Sequence, residues 1–145
     1  MKKPARKVTM SEGALVARCL KKLKSFPSVR VCCEVPILGR SVDLAYVRDG
    51  ELFTVEFKIH DWRRAVTQAR DHLLGSDYSY ICMPQRRVSD EMQAQLRGTG
   101  VGLMFYQEET DWPFAEIIKA PPSGETWEIA RAWAVEYIQE NEGKA

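Results

Sequence analysis

The sequence is poor in metal-binding pairs. Histidine occurs twice, at His60 and His72, and none of the four cysteines forms a CxxC pair. A structural zinc site therefore lacks its usual ligands. No apolar run approaches the roughly 20 residues of a membrane-spanning helix, which argues against a membrane partner. The first ten residues are basic but hold no apolar stretch of the kind a signal peptide needs. No internal repeat and no low-complexity segment interrupts the chain. There is also almost no net charge, +1, which neither demands nor forbids a nucleic-acid partner.

What is present is enough for one domain. The 145 residues are 45% hydrophobic and 28% charged, the balance of a soluble protein whose core needs no staples. Cys19, Cys32, Cys33 and Cys82 all lie in apolar stretches, where cysteine behaves as a small buried hydrophobe. Reduced thiols and a cytoplasmic location fit that pattern. The basic residues cluster: Lys2, Lys3, Arg6 and Lys7, then Lys21, Lys22 and Lys24, then Arg63, Arg64 and Arg70, then Arg86 and Arg87. Distribution matters more than the sum for a polyanion binder, although each cluster alone reads as a solvated face.

Hydrophobic periodicity divides the chain. Residues 1–10 form a basic arm, and 11–145 form a single domain. Ser11 caps a helix to about Lys24, with Leu15, Val16, Cys19, Leu20 and Leu23 on one face. The period then changes to two, predicting strands over Val29–Val35, Ser41–Val47 and Leu52–Ile59. Asp61 caps a helix over Trp62–Leu74, which Gly75 stops. A buried strand follows over Tyr78–Met83. Ser89 caps a short helix to about Arg97, and Val101–Tyr106 is a further strand. Phe114–Lys119 reads as one more strand at an edge. A last helix spans Glu125 to about Glu140, with Trp127, Ala130, Ala134, Tyr137 and Ile138 on one side. The expected fold class is mixed α/β, with a central mixed sheet of about five strands flanked by helices in the order α-β-β-β-α-β-α-β-α.

The second and third strands carry the chemistry. Asp49-Gly50 between alternating runs predicts a type I′ hairpin turn, which needs positive φ at both central residues. Directly opposed residues then have numbers that sum to 99, so Asp43 stands opposite Glu56. Lys58, two residues on, is expected on the same face. Val42, Leu44, Tyr46, Phe53, Val55, Phe57 and Ile59 are expected together on the other, apolar face. Two opposed carboxylates repel unless a cation joins them. Such a pair suits Mg²⁺ (or Mn²⁺), which takes oxygen ligands, keeps several waters and shares its shell with phosphate. The competing reading is a cross-strand ladder of ordinary ion pairs.

Val42-Asp43, twelve intervening residues, and Glu56-Phe57-Lys58 resemble the motif of the PD-(D/E)xK nuclease superfamily, with valine where the family has proline. The helix before the three strands, and the helix and strand after them, extend the resemblance from about Ser11 to Met83. It implies a restriction-endonuclease-like core close to that of Holliday-junction resolvases. It also implies a nuclease in which Asp43 and Glu56, with the Phe57 carbonyl, hold Mg²⁺ or Mn²⁺ while Lys58 positions water. By the same resemblance, Glu12 in the first helix assists the metal and Gln68 in the helix after the motif serves the site. Glu12 reads equally as a favourable acid in a helix's first turn. Arg64, Gln68 and His72 recur at one-turn spacing, and the polar surface of a helix is the plainer reading of His72. With Arg63, Arg64, Lys21 and Lys22, His72 makes up the expected nucleic-acid contacts. Glu34 is either an acid supporting the site or an outward-facing charge, and Trp62, Trp112, Trp127 and Trp133 are expected in packing. The expected partner is nucleic acid, most readily DNA, with room for a homodimer or a partner protein. The alternative function is a non-catalytic nucleic-acid-binding or assembly domain on the same fold.

Overall fold

A computed structural model describes residues 10–145. The basic arm expected over 1–10 thus lies, except for Met10, outside the described residues. The chain runs α1 (Glu12–Lys24), β1 (Arg30–Ile37), β2 (Arg40–Arg48), β3 (Glu51–Phe57), α2 (Trp62–His72), β4 (Tyr78–Met83), α3 (Asp90–Arg97), β5 (Val101–Tyr106), β6 (Phe114–Ile118) and α4 (Glu128–Glu140). The strands form one six-stranded sheet in sequence order. β1, β2 and β3 pair antiparallel, β3, β4 and β5 pair parallel, and β6 closes the far edge antiparallel to β5. The parallel pairs are joined through α2 and α3, as parallel strands require a crossover. The fold class is the mixed α/β one expected, and the segment from Phe114 makes the sheet six strands wide rather than about five.

Helix starts follow their caps. Ser11 Oγ accepts from the Ala14 amide at 3.1 Å, and Ser89 Oγ accepts from the Met92 amide at 3.1 Å. α1 packs alone on one face of the sheet: Leu15, Cys19 and Leu23 meet Val31, Cys33, Leu44, Val55 and Phe57. The other face carries α2 and α3 over β4 and β5, and α4 over β1 and β2. All four cysteines are buried and free. No helix among the described residues is long and apolar enough to cross a membrane.

The hairpin register is as expected. Leu44 pairs with Val55, Tyr46 with Phe53 and Arg48 with Glu51. Asp49 and Gly50 have φ of 52° and 77°. A second tight turn was not anticipated. Leu38 and Gly39, with φ of 49° and 78°, join Ile37 to Arg40, so β1 and β2 run longer than their alternating cores suggest. Leucine is a rare occupant of left-handed backbone, and here it is exposed.

One expectation fails in an informative way. Val42 does not share a face with Leu44 and Tyr46. It packs with Cys32, Val35, Ile37 and α4, whereas Leu44 and Tyr46 pack on the α1 face. The cause is Glu34, whose φ is 53°. Cys33 pairs with Leu44 and Val35 with Val42, but no pair joins Glu34 to Asp43 between them. Both strands change face at this point, and Asp43 drops out of the ladder. A non-glycine residue held there costs about 1–3 kcal/mol, and such strain concentrates at functional sites.

Candidate active site

Asp43 stands where β2 parts from β3. The regular β2–β3 ladder ends at Leu44 and Val55. Beyond it, side chains replace backbone pairing. The Phe57 amide donates to Asp43 Oδ2 at 2.8 Å, and the Asp43 amide points to Glu56 Oε1 at 3.4 Å. The two expected carboxylates are thus brought together, and the Phe57 backbone sits beside them. The second oxygens, Asp43 Oδ1 and Glu56 Oε2, take no part in these bonds.

The pair is short of positive charge. Burial, and then the neighbouring Glu56 carboxylate, push the Asp43 carboxyl up to about 7, against the pull of the Phe57 amide. Glu56 is 3% exposed, and its Oε1 lies 2.7 Å from His72 Nε2. His72 is therefore not on the polar surface of α2. It belongs to the buried face formed by Trp62, Ala65, Val66 and Ala69. That spacing is legible in the sequence, because His72 lies three and seven residues beyond Ala69 and Ala65. His72 Nδ1 and Gln68 Oε1 are buried without a hydrogen-bond partner.

Each carboxylate of the pair lines a separate cavity. On the α1 face, a space of about 350 Å³ is lined by Glu12, Val16, Cys33, Glu34 and Asp43. Burial holds the Cys33 thiol up at about 11, so without a metal it is neutral at neutral pH. On the three-helix face, a space of about 230 Å³ is lined by Arg40, Ser41, Glu56, Gln68 and His72. Glu34 is exposed, and its carboxylate accepts from Ser41 Oγ. Lys58 departs from expectation: β3 ends at Phe57, and the half-buried ammonium reaches Glu12 of α1, 3.9 Å away. It joins the α1 side of the pair rather than the side that holds Glu56. Glu12, though exposed, does look toward the sheet end.

The expected nucleic-acid contacts divide. Lys22 is spent on the carbonyls of Gln107, Glu108 and Thr110, at 2.8, 2.6 and 2.8 Å. Arg63 lies over the Trp62 ring and pairs with Glu91 at 2.7 Å. Lys21 and Arg64 are exposed. Arg64 lies one step around α2 from Gln68 and His72 and does not line their cavity.

The donor set suits a hard cation only in part. Among the described residues, no group of three or more His, Cys, Asp or Glu side chains is arranged to hold a metal. Two carboxylates and a backbone oxygen nevertheless match the way Mg²⁺ is held, by one or two carboxylates with water and phosphate completing the shell. Burial and the neighbouring Glu56 carboxylate both disfavour a charged Asp43.

No protein-family model and no curated protein matches the chain. Solved structures do. A protein of unknown function from Silicibacter pomeroyi superposes with a TM-score of 0.63 at 18% identity, over 92% of this chain and 87% of that one. An XisH family protein from Nostoc punctiforme superposes with a TM-score of 0.53 at 15% identity, over 71% of this chain and 98% of that one. Likeness at these identities is likeness of fold.

Proposed function

We propose that the protein is a Mg²⁺- or Mn²⁺-dependent nuclease of the PD-(D/E)xK type that hydrolyses phosphodiester bonds in DNA. One observation carries the reading. Two carboxylates meet where the β2–β3 ladder opens, with Asp43 pushed up to about 7 by burial and by Glu56. A fold alone does not fix a function, and this site is what distinguishes the chain from a bare fold.

Asp43, Glu56 and the Phe57 carbonyl would hold the ion. When bound, it would supply an activated water and neutralise charge on the phosphoryl group. His72 fixes the Glu56 carboxylate from behind by its 2.7 Å contact. Glu12 holds the Lys58 ammonium near the α1 cavity, where a lysine serves phosphate or water as a point charge. Gln68 borders the opposite cavity. Lys21 and Arg64 remain as exposed cations for the backbone, contacts that position a substrate without reading sequence.

A non-catalytic nucleic-acid-binding domain on the same fold is favoured by one fact: Glu56 Oε1 is already occupied by His72. A panel of labelled linear, nicked, branched and single-stranded DNA and of RNA separates the two. The nuclease reading expects cutting with Mg²⁺ or Mn²⁺, none with chelator and none by Glu56→Ala. Binding without metal uptake by calorimetry, and without cutting of any substrate, would establish the binding domain instead.

A further inference from the structure

The α1 face of the sheet is only partly covered by its helix. Toward the β2–β3 turn it opens into a cavity of about 260 Å³ whose walls are aromatic. Tyr46, Phe53 and Tyr78 stack across β2, β3 and β4, with centroids 4.8 and 4.9 Å apart and planes within 18°. Trp112 stands nearly perpendicular to Tyr46, at 83°. It is braced behind by Phe26 of the segment after α1 and covered by the Arg48 guanidinium 4.4 Å from its centroid. Glycine is required at the base of this region: a Cβ at Gly102 would lie 2.4 Å from the Tyr80 ring.

The polar groups around the rings are nearly balanced in charge. Arg48 and Lys119 oppose Glu51 and Glu116. The carboxylates lie beside tyrosine hydroxyls. Burial and then Glu51 raise Tyr78, and burial, helped by Glu116, pushes Tyr80 up to about 12. Tyr46 is 3% exposed. Burial raises its hydroxyl, and the ring lines the cavity beside Arg48, Tyr80 and Glu116. Its hydroxyl makes none of the side-chain hydrogen bonds found among the described residues.

We infer that this cavity receives one unpaired nucleobase of the nucleic acid that the protein engages. The inference rests on the proposed nuclease function for its choice of ligand, but the cavity is a separate site. The chemistry fits a flat, neutral ring with both donors and acceptors. The balanced charge gives no pull on a free anion or a free cation. The stacked rings of Tyr46, Phe53 and Tyr78 offer a packed apolar wall, and Arg48 over Trp112 offers a guanidinium plane on which a base stacks. The volume lies below the usual 300–1,000 Å³ of small-ligand pockets, suiting one base rather than a larger ligand. Tyr46 follows Asp43 by three residues, and Phe53 precedes Glu56 by three. At about 3.3 Å per residue, the cavity lies on the order of 10 Å along the strands from the carboxylate pair. A base held there belongs to a nucleotide close to the one being cut. The consequence is a preference for single-stranded, flapped or branched substrates, in which a base is free to leave the stack.

The test is binding of a fluorescently labelled single-stranded oligodeoxynucleotide, and of the same sequence as a blunt duplex, in chelator, where no cutting occurs. Wild type is expected to bind the single strand more tightly. Trp112→Ala should weaken that binding at least about fivefold, as loss of a stacking partner does. Tyr46→Phe, which keeps the ring and the packing, should weaken it by about fivefold, as loss of one hydrogen bond does. Gln139→Ala, exposed on α4 and remote from the cavity, should bind the single strand like wild type. An oligonucleotide carrying photoreactive iodouracil should crosslink to the cavity residues. Unchanged binding in both cavity variants, crosslinks confined to other surfaces, or equal affinity for duplex would overturn the inference. Single-strand binding that depends on Tyr46 and Trp112, in a protein that cuts nothing, would leave the cavity standing while the nuclease reading fell. Cutting with unaltered binding in both variants would do the reverse.

Discussion

Asp43→Asn is expected to make the metal-free protein more stable. The Asp43 carboxyl is raised from 3.8 to about 7 by burial and by Glu56. A carboxyl raised on folding binds its proton more tightly in the native state than in the unfolded chain. This carboxyl's contribution to stability is therefore fully present below about pH 4, falls as pH climbs to about 7, and is lost above that window. At about 1.4 kcal/mol per tenfold change, the whole displacement corresponds to about 4 kcal/mol. Asp43 is only half-buried, and water screens part of the repulsion, so about 2 kcal/mol should reach a measurement. An asparagine keeps the acceptor for the Phe57 amide and offers Glu56 a donor in place of the repulsion. The assay is thermal unfolding of both proteins in chelator across pH 4–8. For a chain of this size, about 2 kcal/mol is roughly 4–8 °C in Tm. The gain of Asp43→Asn should be small near pH 4 and complete by pH 8. Divalent metal should reverse the ranking: at 100 times Kd it stabilises wild type by about 2.7 kcal/mol and the variant by far less. A variant less stable than wild type at pH 8, or a gain independent of pH, would refute the reasoning.

Other outcomes follow from single contacts. His72→Ala should cost about 2–4 kcal/mol in urea unfolding, because it strips the buried Glu56 of its 2.7 Å partner. Gly102→Ala should cost about 1–3 kcal/mol or block folding, since its Cβ would lie 2.7 Å from the Ala120 backbone nitrogen as well as against Tyr80. Lys22→Met should speed hydrogen exchange in the 107–113 segment and cost about 2 kcal/mol, because one ammonium holds three of that segment's carbonyls.

Much of this was legible from local chemistry. Asp49-Gly50 is a residue pair that only a tight hairpin favours, so the β2–β3 register and the approach of Asp43 to Glu56 followed from it. The strand that switches face was not legible, because period-two reasoning assumes unbroken alternation. Glu34 in left-handed backbone breaks it, and nothing in the residue's chemistry announces that conformation. The same blindness hid the Leu38-Gly39 turn. Trp127 and Trp133 were expected in packing, yet they are 48% and 61% exposed and touch each other edge to face, while Ala130, Ala134 and Ile138 make the buried seam of α4. Helical spacing set Trp127 beside Ala130 and Ala134, but α4 starts only at Glu128 and Trp127 is its extended N-cap. The engagement of Lys22 and Arg63 depends on a distant loop and a distant helix, which no local pattern encodes.

The central claim is that the Asp43–Glu56 pair is a metal-dependent phosphodiester-cleaving centre. Its most direct measurement is Mn²⁺-dependent DNA cleavage by wild type and Asp43→Asn, with folding of each confirmed by unfolding curves. The account predicts cutting by wild type that chelator abolishes. It predicts none above background by a variant that is better folded than wild type without metal. Cutting by Asp43→Asn at the wild-type rate would contradict it, because activity would then be independent of the carboxylate on which the whole reading rests.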